Sequence, residues 1–338
     1  MNLVFKKLQI YYLKLIIISI IYASIMASFD MEYFRDRENY LIYATDSLII
    51  LENYLSVSKL VAIFNEPLFL FFNYLLSLIF QPEIILSILV FIASFTLSCI
   101  VLKESKKNLI VLLLLFFLLP LCSYTFHLQL VTLRQGLATS LFLFAVHKSD
   151  KLNVWLWAAF VSSFIHISFF IIFSALLLHK LFCRNDNSLF KVIFIQLVFS
   201  LVMSIGLVFV GSYLGIRQVD EISNSSNSVS GGFFIIWLFI YTYIIYMNKK
   251  QLMNKYFTLS IIFLTIYLTS YFTNPVAGRL MGTFVPFILI TFGKMKSENS
   301  IPLLIFLFCI FLLTFSSSIS GGSLTEPFNL KNYIFALL

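Results

Sequence analysis

Long apolar runs, fenced by short clusters of charge, follow one another along nearly the whole of this 338-residue chain. They fall at about 8–29, 84–102, 109–126, 134–147, 152–165, 167–182, 190–213, 233–247, 256–272, 280–293 and 301–316. A bilayer core takes roughly 20 helical residues to cross, and within it the backbone must satisfy its own hydrogen bonds, so helices are the form open to such runs. Hydrophobic residues make up 60% of the chain and charged residues 11%, with 40 Phe, which is more apolar surface than a water-soluble domain can bury. The expectation is an all-α polytopic membrane protein with about 11–12 transmembrane helices, forming a single integral membrane domain over 1–338.

Lys6, Lys7 and Lys14 precede an apolar stretch that ends near Phe29 without a small-residue cleavage site, so an uncleaved first span is expected. Segment 30–82 differs from the rest. It opens acidic and aromatic, then runs apolar from Lys59 to Phe80 with interruptions at Asn65-Glu66-Pro67 and Asn73, the pattern of interfacial or re-entrant helices. With that segment not crossing and the N-terminus cytoplasmic, the inner segments hold 16 basic residues against four acids, and the outer ones seven against eleven. That imbalance is the positive-inside pattern. It predicts outer loops at 30–82 and 214–232 and an outer tail at 317–338. It also accounts for the net charge of +8 without nucleic acid, which is not expected as a partner.

The kind of cation is as uneven as its number. One inner cation is an arginine (Arg184), whereas five of the seven outer ones are: Arg35, Arg37, Arg134, Arg217 and Arg279. Lysine serves equally well as a topology signal. Arginine adds a planar fork of donors that matches phosphate oxygens, so the outer face is read as a site for a phosphate-bearing ligand. Arg134 heads a span in Thr132-Leu133-Arg134-Gln135-Gly136, where Gly136 admits close approach of a ligand or a helix. Arg279 follows the Pro275 and Gly278 backbone breaks, and His166 lies at the turn between two short spans. A span-end arginine commonly snorkels and a lone histidine commonly pins a turn. The segment from Asp30 to Tyr40, which includes Asp36 and Glu38, interleaves carboxylates with aromatics and so suits sugars. The chain has no D-x-D, P-loop, G-x-G-x-x-G or H-E-x-x-H motif, and Cys99, Cys122, Cys183 and Cys309 form no C-x-x-C pair. No cofactor is expected.

Thr132-Leu133-Arg134-Gln135-Gly136-Leu137-Ala138, a Lys-bearing loop, and then Phe164-Ile165-His166-Ile167-Ser168 resemble the R-Q-x-x-A … F-H-x-S pattern of EpsG-like polysaccharide polymerases. Asp36-Arg37-Glu38-Asn39-Tyr40 is similar to their D-Y-x-x-Y outer element, and Glu66-Pro67-Leu68-Phe69 to their E-P-x-(F/Y) helix start. Two positions depart from the pattern. Gly136 stands where Ala or Ser is more usual, and Arg37 where an aromatic is common.

The resemblance implies a Wzy-type O-antigen or capsule polymerase of the bacterial inner membrane, similar to the lipid-phosphosugar-dependent, GT-C-like glycosyltransferases. Such a protein would move a growing glycan from undecaprenyl diphosphate to a lipid-linked repeat unit on the periplasmic face. It would need no metal, because fixed guanidinium groups stabilise the departing diphosphate. His166, Asp36 or Glu38 would act as base, and Arg134, Gln135, Arg279, Arg217, Tyr40 and Glu66 would bind substrate. A chain-length regulator is a further expected partner. The rival readings are a flippase for lipid-linked oligosaccharide, an O-antigen ligase and a structural membrane subunit. A flippase should show two related halves, which are not seen here, and a ligase a larger late outer loop than 214–232.

Overall fold

A computed structural model describes residues 2–29, 34, 36–183, 188–213, 231–247, 254–273 and 277–320. Residues 214–230 of the expected 214–232 loop, including Arg217, and residues 321–338 of the expected 317–338 tail lie outside the described residues, as do Arg35 and Pro275, whereas residues 317–320 continue the last helix. Within them the chain is helical throughout: α1 (Asn2–Ala27), α2 (Arg37–Val57), α3 (Lys59–Phe64), α4 (Pro67–Ser77), α5 (Pro82–Glu104), α6 (Leu109–Leu121), α7 (Ser123–Leu130), α8 (Leu133–Lys148), α9 (Leu152–Ser163), α10 (Phe169–Cys183), α11 (Leu189–Tyr213), α12 (Gly232–Met247), α13 (Lys255–Ser270), α14 (Ala277–Lys294) and α15 (Ser297–Ser320).

This is the architecture of an integral, all-α membrane protein. Among the described residues, three helices are long and apolar enough to cross a bilayer, over Gln9–Ala27, Pro82–Glu104 and Ser297–Phe315. Most of the other expected spans are shorter apolar helices; α9, α10 and α13 have 12, 15 and 16 residues. Apolarity marks them in the sequence, but packing inside the bundle accounts for it as readily as lipid does. Every residue of α14 from Leu280 to Gly293 is buried, and α13 is nearly as enclosed.

The run expected as one span at 109–126 is broken instead. Pro120 lacks an amide proton and Cys122 is extended, and α7 leaves α6 at 61°. Backbone groups freed inside apolar surroundings need partners. Thr125 Oγ1 donates to the Leu119 carbonyl at 2.6 Å, and Gln129 Nε2 donates to the Thr125 carbonyl at 2.9 Å. The Tyr22 hydroxyl, from α1, completes the set by donating to Gln129 Oε1 at 2.9 Å.

Three parallel helices, α5, α8 and α14, form the frame of the bundle. Their last turns meet at the lysine-rich end, where Glu104 takes His147 Nδ1 and Lys294 Nζ, each at 2.5 Å. At the opposite end Gln135 Nε2 donates to the Arg279 carbonyl at 2.6 Å and to Thr283 Oγ1 at 2.8 Å. Small residues let these axes approach, the usual device where lipid gives no hydrophobic drive. A Cβ on Gly136 would overlap the Leu128 carbonyl oxygen and touch Ala93, so the glycine serves helix packing rather than a ligand.

Candidate active site

The described part of segment 30–82 folds over the first turn of α8. None of α2, α3 and α4 is both long and apolar enough to cross. α3 is started by Ser58, whose hydroxyl accepts from the Val61 amide at 3.1 Å, and it stops at Asn65. Pro67, with no amide proton to lose, then opens α4. Glu66 stands between the two helices in a left-handed conformation, φ 60° and ψ 49°. Asp36, before α2, has φ 65°, and these are the described non-glycine residues with positive φ. Such a backbone costs about 1–3 kcal/mol and persists only where its surroundings hold it, which makes both positions candidates for function.

The surroundings of Glu66 are specific. Its carboxylate is buried and bridges two other segments. Oε2 is ion-paired with Arg134 Nη1, in the first turn of α8. Oε1 meets His166 Nδ1 at 2.6 Å and accepts from the Ile167 amide at 3.3 Å. The α9–α10 turn that carries His166 is itself tied to α4, because the Leu68 amide donates to the Phe164 carbonyl at 3.0 Å. Beyond Glu66, the Arg134 guanidinium lies over two rings of α2, Tyr40 at 5.7 Å and Tyr43 at 5.1 Å. Tyr40 is buried against Phe69, the third residue of α4. One turn of helix separates Tyr40 from Tyr43, which is why a single guanidinium meets both.

Burial alone would raise the Glu66 carboxyl. The Arg134 charge, then His166 and the bonds from His166 and Ile167, outweigh that and hold it at about 2. Glu66 is therefore ionised at neutral pH, and a ring nitrogen bonded to it must carry the proton. In the neutral imidazole the lone pair is left on Nε2. The geometry is that of a base oriented by a carboxylate, beside a fixed cation.

The structure brings together Glu66, Arg134, His166 and Tyr40, drawn from four stretches that are far apart in sequence. Arg279 follows through its carbonyl, which seats the exposed first turn of α14 beside α8. The picture changes for three residues. Gln135, expected to contact substrate, is buried with its amide group donating to α14, as a good hydrogen-bonding side chain between helices does. Asp36 and Glu38, expected as possible bases, are exposed and are not among the groups that hold Glu66 or Arg134. Their polarity gains more from water than from the apolar corner that Tyr40 enters. Tyr43 was not singled out in the sequence, although its spacing from Tyr40 was the available signal. Among the described residues no group of three or more His, Cys, Asp or Glu side chains gathers as a metal site.

The sequence matches the EpsG family over residues 11–335, which includes every part of this cluster. Neither a curated protein nor a solved structure shows a significant match to the chain.

Proposed function

Because the chain belongs to the EpsG family, a membership that marks it as a membrane protein of polysaccharide-polymerase type, we propose that it polymerises a lipid-linked glycan at the Glu66–Arg134–His166 cluster. The substrate in this reading is an undecaprenyl-diphosphate-linked oligosaccharide, and the product an O-antigen or capsular polysaccharide. The protein would lie in the bacterial inner membrane with the cluster towards the periplasm, as the charge count along the chain supports. A chain-length regulator is an accessory partner in the same reading.

The observation that carries this is the single carboxylate shared by an imidazole and a guanidinium. The acceptor sugar hydroxyl attacks the anomeric carbon of the donor. Its proton passes to His166 Nε2, the bond from that carbon to the diphosphate oxygen breaks, and the electron pair leaves with the lipid diphosphate. Glu66 fixes the tautomer and stabilises the imidazolium that forms. Arg134 meets the charge that grows on the leaving group, and because Glu66, Tyr40 and Tyr43 already hold it, little reorganisation is needed. The step needs no metal in this scheme.

Purified protein in proteoliposomes, given a synthetic polyprenyl-diphosphate-linked repeat unit, should produce a ladder of lengthening glycan. His166→Gln should lower the rate by about 10²–10⁴ while lipid binding stays nearly intact. A stable His166→Gln protein that polymerises at the wild-type rate would remove His166 as base and return attention to Asp36 and Glu38. Movement of intact substrate across the bilayer without chain growth would replace the reading by a flippase.

A further inference from the structure

Arg37 presents an electrostatic problem that the proposed reaction leaves unsolved. It is the first residue of α2 and only 4% exposed. Its guanidinium lies 5.4 Å from the centre of the Phe34 ring, and Nη2 donates to the Leu130 carbonyl at the end of α7. Nε and Nη1 are buried with no hydrogen-bond partner among the described residues. Burial pushes the group down to about 10 against the opposing pull of Tyr40 and Asp36, so it remains charged at neutral pH. A buried charge with open donors is costly unless an anion or water completes it.

The position of this charge is informative. Leu130 lies four residues before Arg134, across the short α7–α8 connection. Tyr40 lies one turn along α2 from Arg37 and packs against the Arg134 guanidinium. Arg134 also has an open donor, since its Nε is buried without a hydrogen-bond partner among the described residues. Arg37 and Arg134 therefore both lie beside Tyr40, and Glu66, paired with Arg134, supplies the buried negative charge there. The buried positive charge there exceeds the buried negative charge, and three guanidinium nitrogens have no hydrogen-bond partner among the described residues, which is a demand for acceptor oxygens.

We propose that Arg37 and Arg134 form a two-arginine diphosphate subsite on either side of Tyr40, with Arg134 at the phosphate next to the sugar and Arg37 at the phosphate next to the lipid. This rests on the reading of the substrate as a lipid diphosphate, and it adds the residue that distinguishes a diphosphate from a monophosphate carrier. Arg37 bonds to the substrate here but takes no part in proton transfer.

The test compares a farnesyl-diphosphate-linked sugar with the same sugar on farnesyl monophosphate, titrated into the full-length protein in nanodiscs; in both the sugar-bearing phosphate falls to Arg134, and only the diphosphate offers a second phosphate to Arg37. The wild type should bind the diphosphate about tenfold or more tightly, the scale of one charge-assisted hydrogen bond. Arg37→Gln should lose that preference and keep its monophosphate affinity. Arg37→Lys can still donate to the Leu130 carbonyl, so it guards against a folding defect, and it should show an intermediate preference. Full wild-type preference in either variant, or no preference in the wild type, would overturn the assignment of Arg37. Binding of neither lipid by folded wild-type protein would instead overturn the lipid-diphosphate reading on which it stands.

Discussion

Glu66→Gln separates the carboxylate's roles more sharply than any other single change. Glutamine nearly matches glutamate in shape, but it has one acceptor oxygen and a donor NH2 where Glu66 has two acceptors. Arg134 Nη1 and His166 Nδ1 both approach Glu66 as donors. If the amide oxygen turns to Arg134, the NH2 faces His166 and forces the lone pair onto Nδ1, which puts the proton on Nε2. If the oxygen turns to His166, the NH2 opposes the guanidinium. Either way one charge-assisted hydrogen bond is lost, worth about 1.5–3 kcal/mol of stability. Turnover should fall by about 10²–10⁴, because the base is held in the wrong tautomer or beside a displaced cation. The assay is the initial rate of glycan ladder formation in proteoliposomes, run beside thermal unfolding. The pH dependence gives a second readout. A carboxyl held at about 2, below its usual 4.5, contributes stability that is complete above pH 4.5 and is lost as pH falls towards 2. That part of the acid destabilisation should be absent from Glu66→Gln. Folded Glu66→Gln protein with wild-type rate and an unchanged acid profile would refute the bridging role.

Arg134→Lys keeps the charge but loses the planar fork and its stacking on Tyr40 and Tyr43, and polymerisation measured as above should drop by about 10²-fold or more. Cysteines placed at 134 and 279 should be joined by a crosslinker spanning about 15 Å, given the bond between Gln135 and the Arg279 carbonyl; no product with any such reagent would separate the two positions. EDTA treatment of the purified protein should leave its rate unchanged, and a loss that Mg²⁺ or Mn²⁺ restores would show that a metal is required. Gly136→Val should destabilise the protein by several kcal/mol, since its side chain would be driven into the Leu128 carbonyl, and a Tm equal to wild type would show that α7 and α8 can move apart there.

The sequence alone determined that the chain is helical and membrane-embedded, because a composition this apolar leaves the backbone no other way to satisfy its polar groups. It also marked Arg134, His166 and Glu66, through motifs whose order and spacing are local properties of the chain. What it could not determine is which of them meet. Glu66 and Arg134 are 68 positions apart and Glu66 and His166 are 100, and only the way α4 lies across the first turn of α8 and the α9–α10 turn decides that one carboxylate serves both. Burial was equally hidden. Gln135 and Arg37 look like surface polar groups beside spans, yet one is held between α8 and α14 and the other lies beneath Phe34 with open donors. Nor does hydrophobicity separate a helix bathed in lipid from one enclosed by neighbours, so only packing reveals that α13 and α14 lie at the centre of the bundle. Periodicity and charge act along the chain, whereas partnership and enclosure arise only when distant segments pack, and the chemistry of this site depends on the second kind of information.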